Sequence, residues 1–142
     1  NDRLVNSEQI HFAKRMDSSE EHLARHSWAD IFIDTFYFNA ASTAMDSLWA
    51  GLPVVTVLGR SFNARICSSF LKTLGLDILI ASNIDEYENK ILELANKPNL
   101  VYQLKQNLEN IKKTNPLFDS EKSTKDLEKI YCDLVDELKR KK

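Results

Sequence analysis

The chain has 142 residues, 43% of them hydrophobic and 28% charged, with a net charge of −2. That is enough for one domain with a core of its own, and it leaves no global basic field to recruit nucleic acid or anionic lipid. No apolar run is long enough to span a bilayer and no secretory pattern opens the chain, so no membrane role is expected. From the N-terminus, "QIHFAK" (Gln9 to Lys14) alternates and predicts a short strand. "SSEEHLARHSWA" (Ser18 to Ala29) predicts a helix capped by Ser18 or Asp17, with Glu21 as the capping-box partner of Ser18. "DIFIDT" (Asp30 to Thr35) is a compact apolar strand. A helix follows from about Ser42 to Ala50; Gly51 is placed to end it in a left-handed turn, and Pro53 cannot continue it. "VVTVL" (Val54 to Leu58) is a continuous β-branched run, the mark of a strand buried on both faces.

Another helix is predicted over roughly Ser61 to Leu74. Phe62, Ile66 and Phe70 repeat every four residues with Cys67, Leu71 and Leu74 alongside, and Gly75 ends it. "DILIA" (Asp77 to Ala81) is a weak strand. "NIDEYENKILELANK" is a helix with Ile84, Tyr87, Ile91 and Leu94 turned inward. Pro98 starts a further helix carrying Leu100, Leu104, Leu108 and Ile111. "TNPLFDSEKS" is a turn. The last helix, about Ser120 to Lys139, places Leu127, Ile130, Tyr131, Leu134 and Leu138 on one stripe, and its closing "KRKK" suits a helix C-terminus. Strands alternating with helices predict an α/β domain over residues 1–142: a Rossmann-like parallel sheet flanked by helices, with extra helices at its C-terminal end. About four strands are few for a doubly wound sheet. With Asn rather than Met at position 1, that predicts a piece of a longer protein whose first strands lie upstream. The two cysteines, Cys67 and Cys132, form no CxxC pair. They fit a reducing, cytoplasmic compartment and argue against a disulfide framework or a zinc site. Three glycines, Gly51, Gly59 and Gly75, leave no GxGxxG loop and no P-loop.

Ligands of an open α/β sheet sit outside the carboxyl ends of the strands. Two such loops carry polar residues. The first leads into Ser18, Ser19, Glu20, Glu21, His22 and Arg25. The second leads into Asn39, Ser42, Thr43 and Asp46. In the second, the free N–H groups of a helix start form an anion site, five small residues (Ala40 to Ala44) let a diphosphate approach the backbone, and two hydroxyls add donors. Asp46 would repel phosphate but accept from a ribose diol. A local alternative stands beside this: Thr43-Ala44-Met45-Asp46 also reads as a capping box, and alanines are good helix formers. His22 and Arg25 share one helix face, which suits either contact with phosphate or base, or a solvated face. Asp34 suits either a functional role or a cap on the following turn, and Arg65 either phosphate or an ion pair with Asp34 or Asp46. His11, His26, Trp28 and Trp49 read as structural, both tryptophans as core. No nucleophile constellation or metal cluster is evident.

The stretch "EEHLARHSWADIFIDTFYFNAASTAMDSLWAGLPVVTVLGRSFNARICSSFLKTLGL" resembles the C-terminal catalytic half of the O-GlcNAc transferase and SPINDLY family. These are GT-B glycosyltransferases usually preceded by tetratricopeptide repeats. The likeness runs from about Arg3 to nearly the last residue. It implies the Rossmann half of a GT-B enzyme, which holds the nucleotide of a UDP-sugar. By the same resemblance His22 packs on the uracil or its ribose with Arg25 beside it, and Ser42 and Thr43 hold the diphosphate with the helix N-terminus. Asp46 then takes the ribose. No metal and no cofactor are implied, because helix N–H groups and basic residues neutralise the leaving diphosphate.

The chain departs from the family's pattern at Ala40 and Ala41, where a Gly and then a polar residue are usual, and at Ser19, where a lysine is common. The family's general base, acceptor groove and diphosphate lysine map before residue 1, so the chain alone is not expected to catalyse transfer. The expected role is therefore the UDP-GlcNAc-type donor-binding part of a protein O-glycosyltransferase acting on Ser/Thr. Acceptor proteins would be engaged through upstream repeats. The alternatives are a cytosolic protein N-glycosyltransferase of the same broad family and a non-catalytic Rossmann-like interaction domain.

Overall fold

The computed structural model describes residues 6–141. Arg3, where the resemblance begins, and Lys142 of "KRKK" lie outside the described residues. The regular elements are α1 (Ser19–Ala24), β1 (Phe32–Ile33), α2 (Ser42–Trp49), β2 (Val54–Val57), α3 (Ile66–Thr73), β3 (Ile80–Ala81), α4 (Ile84–Asn96), α5 (Pro98–Ile111) and α6 (Ser120–Arg140). Short 3-10 turns join several of them, at Arg25–Trp28, Asn63–Arg65, Asp77–Leu79 and Pro116–Phe118.

The three strands form one parallel sheet in the order β1-β2-β3, with Phe32 opposite Val54 and Thr56 opposite Ile80. The central strand is buried, as its β-branched run predicts: Val54, Val55 and Thr56 are all at 0% exposure. One apolar core joins Ala44 and Leu48 of α2, the valines of β2, Cys67 and Leu71 of α3, Tyr87 and Leu94 of α4, and Leu104 and Leu108 of α5. The expected parallel sheet flanked by helices is therefore what the chain builds. Gly51 (φ 83°) and Gly75 (φ 69°) end α2 and α3 in left-handed turns that any side chain would strain.

Several expectations are corrected. Gln9 to Lys14 is not a strand: the chain from Ile10 to Asp17 carries no regular structure, and Phe12 is 93% exposed. Alternation needs a neighbouring ladder to become a strand, and among the described residues no strand lies beside it. Three strands, not four, are found among the described residues. The helix expected from Ser18 to Ala29 changes to a 3-10 turn at Arg25. There the Ser27 hydroxyl donates to the Ala24 carbonyl and the His26 ring meets the carbonyls of His22 and Leu23, so side chains compete for the last turn's acceptors.

Trp28 is not core but exposed. Trp49 is half-exposed and bridges outward, edge-on to Phe118 at 5.3 Å with the Lys112 ammonium 5.6 Å from its ring centre. Phe62 and Ile84 are exposed rather than inward, because α3 begins only at Ile66 and Ile84 is the first residue of α4. His11 lies exposed in the irregular stretch, whereas His26 is buried as expected. The stripe on α6 forms as one face of a helix, but no residue of that helix is buried.

α4 starts with an interlocked cap. The Asn83 side chain accepts from the Glu86 N–H at 2.8 Å, and the Glu86 carboxylate accepts from the Ser82 N–H and hydroxyl. These bonds, the Ser82 hydroxyl first and then the Ser82 N–H and Lys90, pull the Glu86 carboxyl down from its ordinary 4.5 to about 2. Because the folded-state value is depressed, the stabilisation is complete above about pH 4.5 and is lost as pH falls toward 2. Glu86→Gln is therefore expected to unfold at lower urea than the parent at neutral pH, with the two converging over that acid window. A difference that stayed constant down to pH 2 would contradict the cap.

Candidate functional site

The candidate site lies where β1 gives way to α2. β1 is tied to β2 by the Phe32 N–H on the Pro53 carbonyl (2.8 Å) and the Asp34 N–H on the Val55 carbonyl (3.0 Å). The chain then makes a closed loop from Asp34 to Ala40. Asp34 Oδ1 accepts from the N–H groups of Thr35 (2.8 Å) and Ala40 (2.7 Å). Inside the loop the Thr35 hydroxyl donates to the Phe38 carbonyl, and Asn39 Nδ2 donates to the Thr35 carbonyl at 2.7 Å. Phe36, Tyr37 and Phe38 are pushed outward and exposed.

α2 begins without a cap. Ala41 occupies the N-cap position and no side chain caps the helix, nor does an acid stand in its first turn. Thr43 is inside the helix, not at its cap, so the capping-box reading of Thr43 to Asp46 does not hold. Ala44, Ser47 and Leu48 face the core. Ser42 and Thr43 are exposed, and Asp46 follows them by four and three residues, so the three share the outward face. No side chain caps the first-turn N–H groups, and two exposed hydroxyls stand beside them, a combination that suits an anion. No residue other than glycine has a positive φ among the described residues; Ala41 sits at φ −102°, ψ −86°, so the alanines at 40 and 41 need no left-handed turn.

A cleft of about 660 Å³ opens between the irregular stretch before α1 and α1 itself, lined among others by Lys14, Arg15, Ser18, His22 and Arg25, with Asp46 reaching it from α2. His22 Nε2 lies 3.5 Å from Asp46 Oδ2, and the His26 ring braces His22 edge-on at 5.2 Å. Arg25 Nη1 reaches the Lys14 carbonyl at 3.5 Å. Ser18 caps α1 through the Glu21 N–H at 3.1 Å. His22, Arg25 and Asp46 thus share one cleft, with Ser42 and Thr43 one helical turn before Asp46 on α2. Asn39 is placed differently. It is fully buried, its amide closes the loop, and its Oδ1 has no partner among the described residues, so it shapes the site from within. Arg65 is exposed and makes neither ion pair considered for it: the Asp34 carboxylate is filled by neutral donors and Asp46 faces His22.

One pair of cleft residues escapes the sequence pattern, whereas the turn cap offered as one role of Asp34 is found, on the N–H groups of Thr35 and Ala40. Lys14 and Arg15 line the cleft, although the alternation of Gln9 to Lys14 reads as a strand; the signal available was a basic pair just before the Ser18 cap. Asp34 is buried at 3% exposure and its Oδ2 accepts from the Thr56 hydroxyl at 2.6 Å. Its carbonyl accepts from the Tyr87 hydroxyl at 2.6 Å, and burial, then the nearby Asp34 charge, push that phenol up to about 12. Among the described residues no group of three His, Cys, Asp or Glu side chains is placed to hold a metal, and no helix is long and apolar enough to cross a membrane.

With this geometry in view, the chain can be set beside known proteins. Residues 1–127 match the model of Glycosyl transferase family 41. The chain is 34% identical over 113 residues to a probable UDP-N-acetylglucosamine–peptide N-acetylglucosaminyltransferase SPINDLY of Solanum lycopersicum, covering 80% of this chain and 12% of the relative. It is 36% identical over 129 residues to the corresponding probable transferase SEC of Arabidopsis thaliana, covering 89% of this chain and 13% of the relative. Among solved structures, an O-GlcNAc transferase variant of Thermobaculum terrenum superposes with a TM-score of 0.73 at 27% identity, covering 80% of this chain and 22% of that one. The chain thus spans 12% to 13% of the length of these two curated relatives.

The approach to α2 is also held from the far side. The Asn39 N–H donates to the Asn63 carbonyl at 3.0 Å, and Asn63 is set by a turn in which the Gly59 N–H donates to the Ala64 carbonyl at 2.9 Å. A Cβ on Gly59 would lie 2.3 Å from the Ala64 Cβ and 3.0 Å from its carbonyl oxygen. Gly59→Ala is therefore expected to cost about 1–3 kcal/mol of overpacking strain in urea denaturation; an unchanged midpoint would show that the turn relaxes freely.

Proposed function

This chain belongs to glycosyltransferase family 41, and from that premise we propose that it is the nucleotide-sugar-binding part of a protein O-glycosyltransferase. The observation that carries the reading is the pairing of an uncapped, outward-facing α2 N-terminus with a cleft holding His22, Arg25 and Asp46. The donor is a UDP-sugar of the UDP-N-acetylglucosamine type, the substrate that the relatives' names carry. The acceptor is a Ser or Thr of a protein.

In this reading the diphosphate sits on the first-turn N–H groups of α2 and the hydroxyls of Ser42 and Thr43. Asp46 accepts from the ribose diol, one turn away from the phosphates, where its charge is tolerable. His22 packs on the uracil or ribose, and Arg25 supplies positive charge beside it. Asn39 acts through the loop. As the sugar leaves, negative charge grows on the diphosphate, and fixed N–H dipoles and nearby cations stabilise it without reorganising and without a metal. This chain supplies leaving-group stabilisation. The base, the acceptor groove and any tetratricopeptide repeats belong to the rest of a soluble, cytoplasmic protein.

Two measurements test the reading. Backbone amides of Ser42 to Asp46 should shift when UDP is titrated into the protein, and none moving at millimolar UDP would end it. Asp46→Asn should weaken UDP by about 10-fold, the worth of a charge-assisted hydrogen bond, and leave pyrophosphate within about twofold. Equal weakening of both ligands would refute the ribose assignment.

A further inference from the structure

We infer that Asp34 is a positioning residue for the donor site: it sets where the α2 N-terminus stands without itself touching the ligand. The inference rests on the donor-binding reading above.

The geometry is specific. A buried carboxylate is costly unless its oxygens are filled by donors or a cation. None of the ion pairs among the described residues involves Asp34. Neutral donors fill it instead: the N–H groups of Thr35 and Ala40 on Oδ1 and the Thr56 hydroxyl on Oδ2. The Cys67 thiol stands beside the same carboxylate; burial, then the Asp34 charge, push its pKa well up, so it remains S–H. One carboxylate thus joins the end of β1, the middle of β2, α3 and the residue just before the N-cap of α2.

A helix start is usually fixed by a side-chain cap, which consumes a first-turn N–H. Such a cap at Ala41 would occupy the donors an anion needs. Here the anchoring is moved back to the Ala40 N–H, held by Asp34 from the core side, and the helix's own first-turn donors carry no cap. Tyr87 of α4 reinforces the anchor, through its hydroxyl on the Asp34 carbonyl and through its ring, edge-on to Phe36 at 5.2 Å. The opposite side of the cleft, His22 of α1 and Arg25 of the 3-10 turn after it, has no bond to this network among the described residues. Asp34 should therefore govern the diphosphate half of the site and not the nucleoside half.

The experiment measures the affinities of UDP, pyrophosphate and uridine for the intact protein, as wild type, Asp34→Asn, Thr56→Val and Thr56→Ser, with thermal unfolding recorded in parallel. Asparagine keeps one acceptor oxygen but turns the other into a donor facing the Thr56 hydroxyl. Asp34→Asn should weaken UDP and pyrophosphate by about 10-fold and leave uridine within about twofold. Thr56→Val, which removes one donor from Oδ2, should show the same selectivity at about 3-fold, and Thr56→Ser, which keeps the hydroxyl, should match wild type. If Asp34→Asn does not fold, the two Thr56 variants decide alone. Uniform loss across the three ligands, or loss that only tracks the melting temperature, would make Asp34 merely structural and overturn the inference. Failure of wild-type protein to bind UDP or pyrophosphate would instead bring down the donor-binding reading, and this inference with it.

Discussion

The Asp34 carboxylate is the constraint on which the rest of this structure turns. β1 is only two residues long, too short to fix the chain that leaves it. Asp34 supplies what the strand lacks, with bonds to Thr35 and Ala40 in the loop and to Thr56 in the buried central strand. A charge buried this deeply requires its donors in place. The loop, the strand and the helix start are therefore fixed together. Once Ala40 is fixed, Ala44 and Leu48 can reach the core from one face of α2 while Ser42, Thr43 and Asp46 are turned away from it.

The run of five small residues, Ala40 to Ala44, then divides into two jobs. Ala40 packs against the core and Ala44 is part of it, at 0% exposure. Larger side chains at these two positions would hold α2 away from the sheet. Ala41, Ser42 and Thr43 lie on or near the outer surface, where their size keeps the backbone within reach of a ligand. Forgoing a capping side chain costs a helix about 1 kcal/mol. Here Asp34 instead holds the Ala40 N–H from the core side, and the first-turn donors carry no cap.

Local chemistry made much of the fold readable from the amino-acid sequence. The Ser18 cap, the left-handed ends at Gly51 and Gly75, the buried run at Val54 and the start of α5 at Pro98 each depend on a residue and its immediate neighbours, and each is where the pattern puts it. What failed depended on partners distant in the chain. The alternation of Gln9 to Lys14 has no ladder beside it among the described residues. The burial expected of Trp28 needs a facing surface that local pattern cannot reveal. The site follows the same division. Ser42, Thr43 and Asp46 are spaced for one helix face and are found on it. Asp34 caps the turn that follows it, as one of its two readings had it, but its bond to Thr56 was hidden because that partner lies 22 residues away and looks like one more β-branched residue of a strand.

The contact between His22 and Asp46 shows how the two halves of the cleft are matched. At 3.5 Å, with side chains 31% and 43% exposed, it is a partly solvated pair, and pairs of this kind contribute little to stability. The His22 side of the pair is braced by His26, whose own ring is tied to backbone carbonyls. The imidazole therefore stands beside the Asp46 carboxylate at the wall of the cleft. A hydroxyl pair competing for that carboxylate would displace little binding energy. The buried bonds at Asp34 and the weak, solvated contact at Asp46 thus suit separate tasks. In the donor-binding reading proposed above, the first stays fixed when a ligand arrives and the second exchanges its partner.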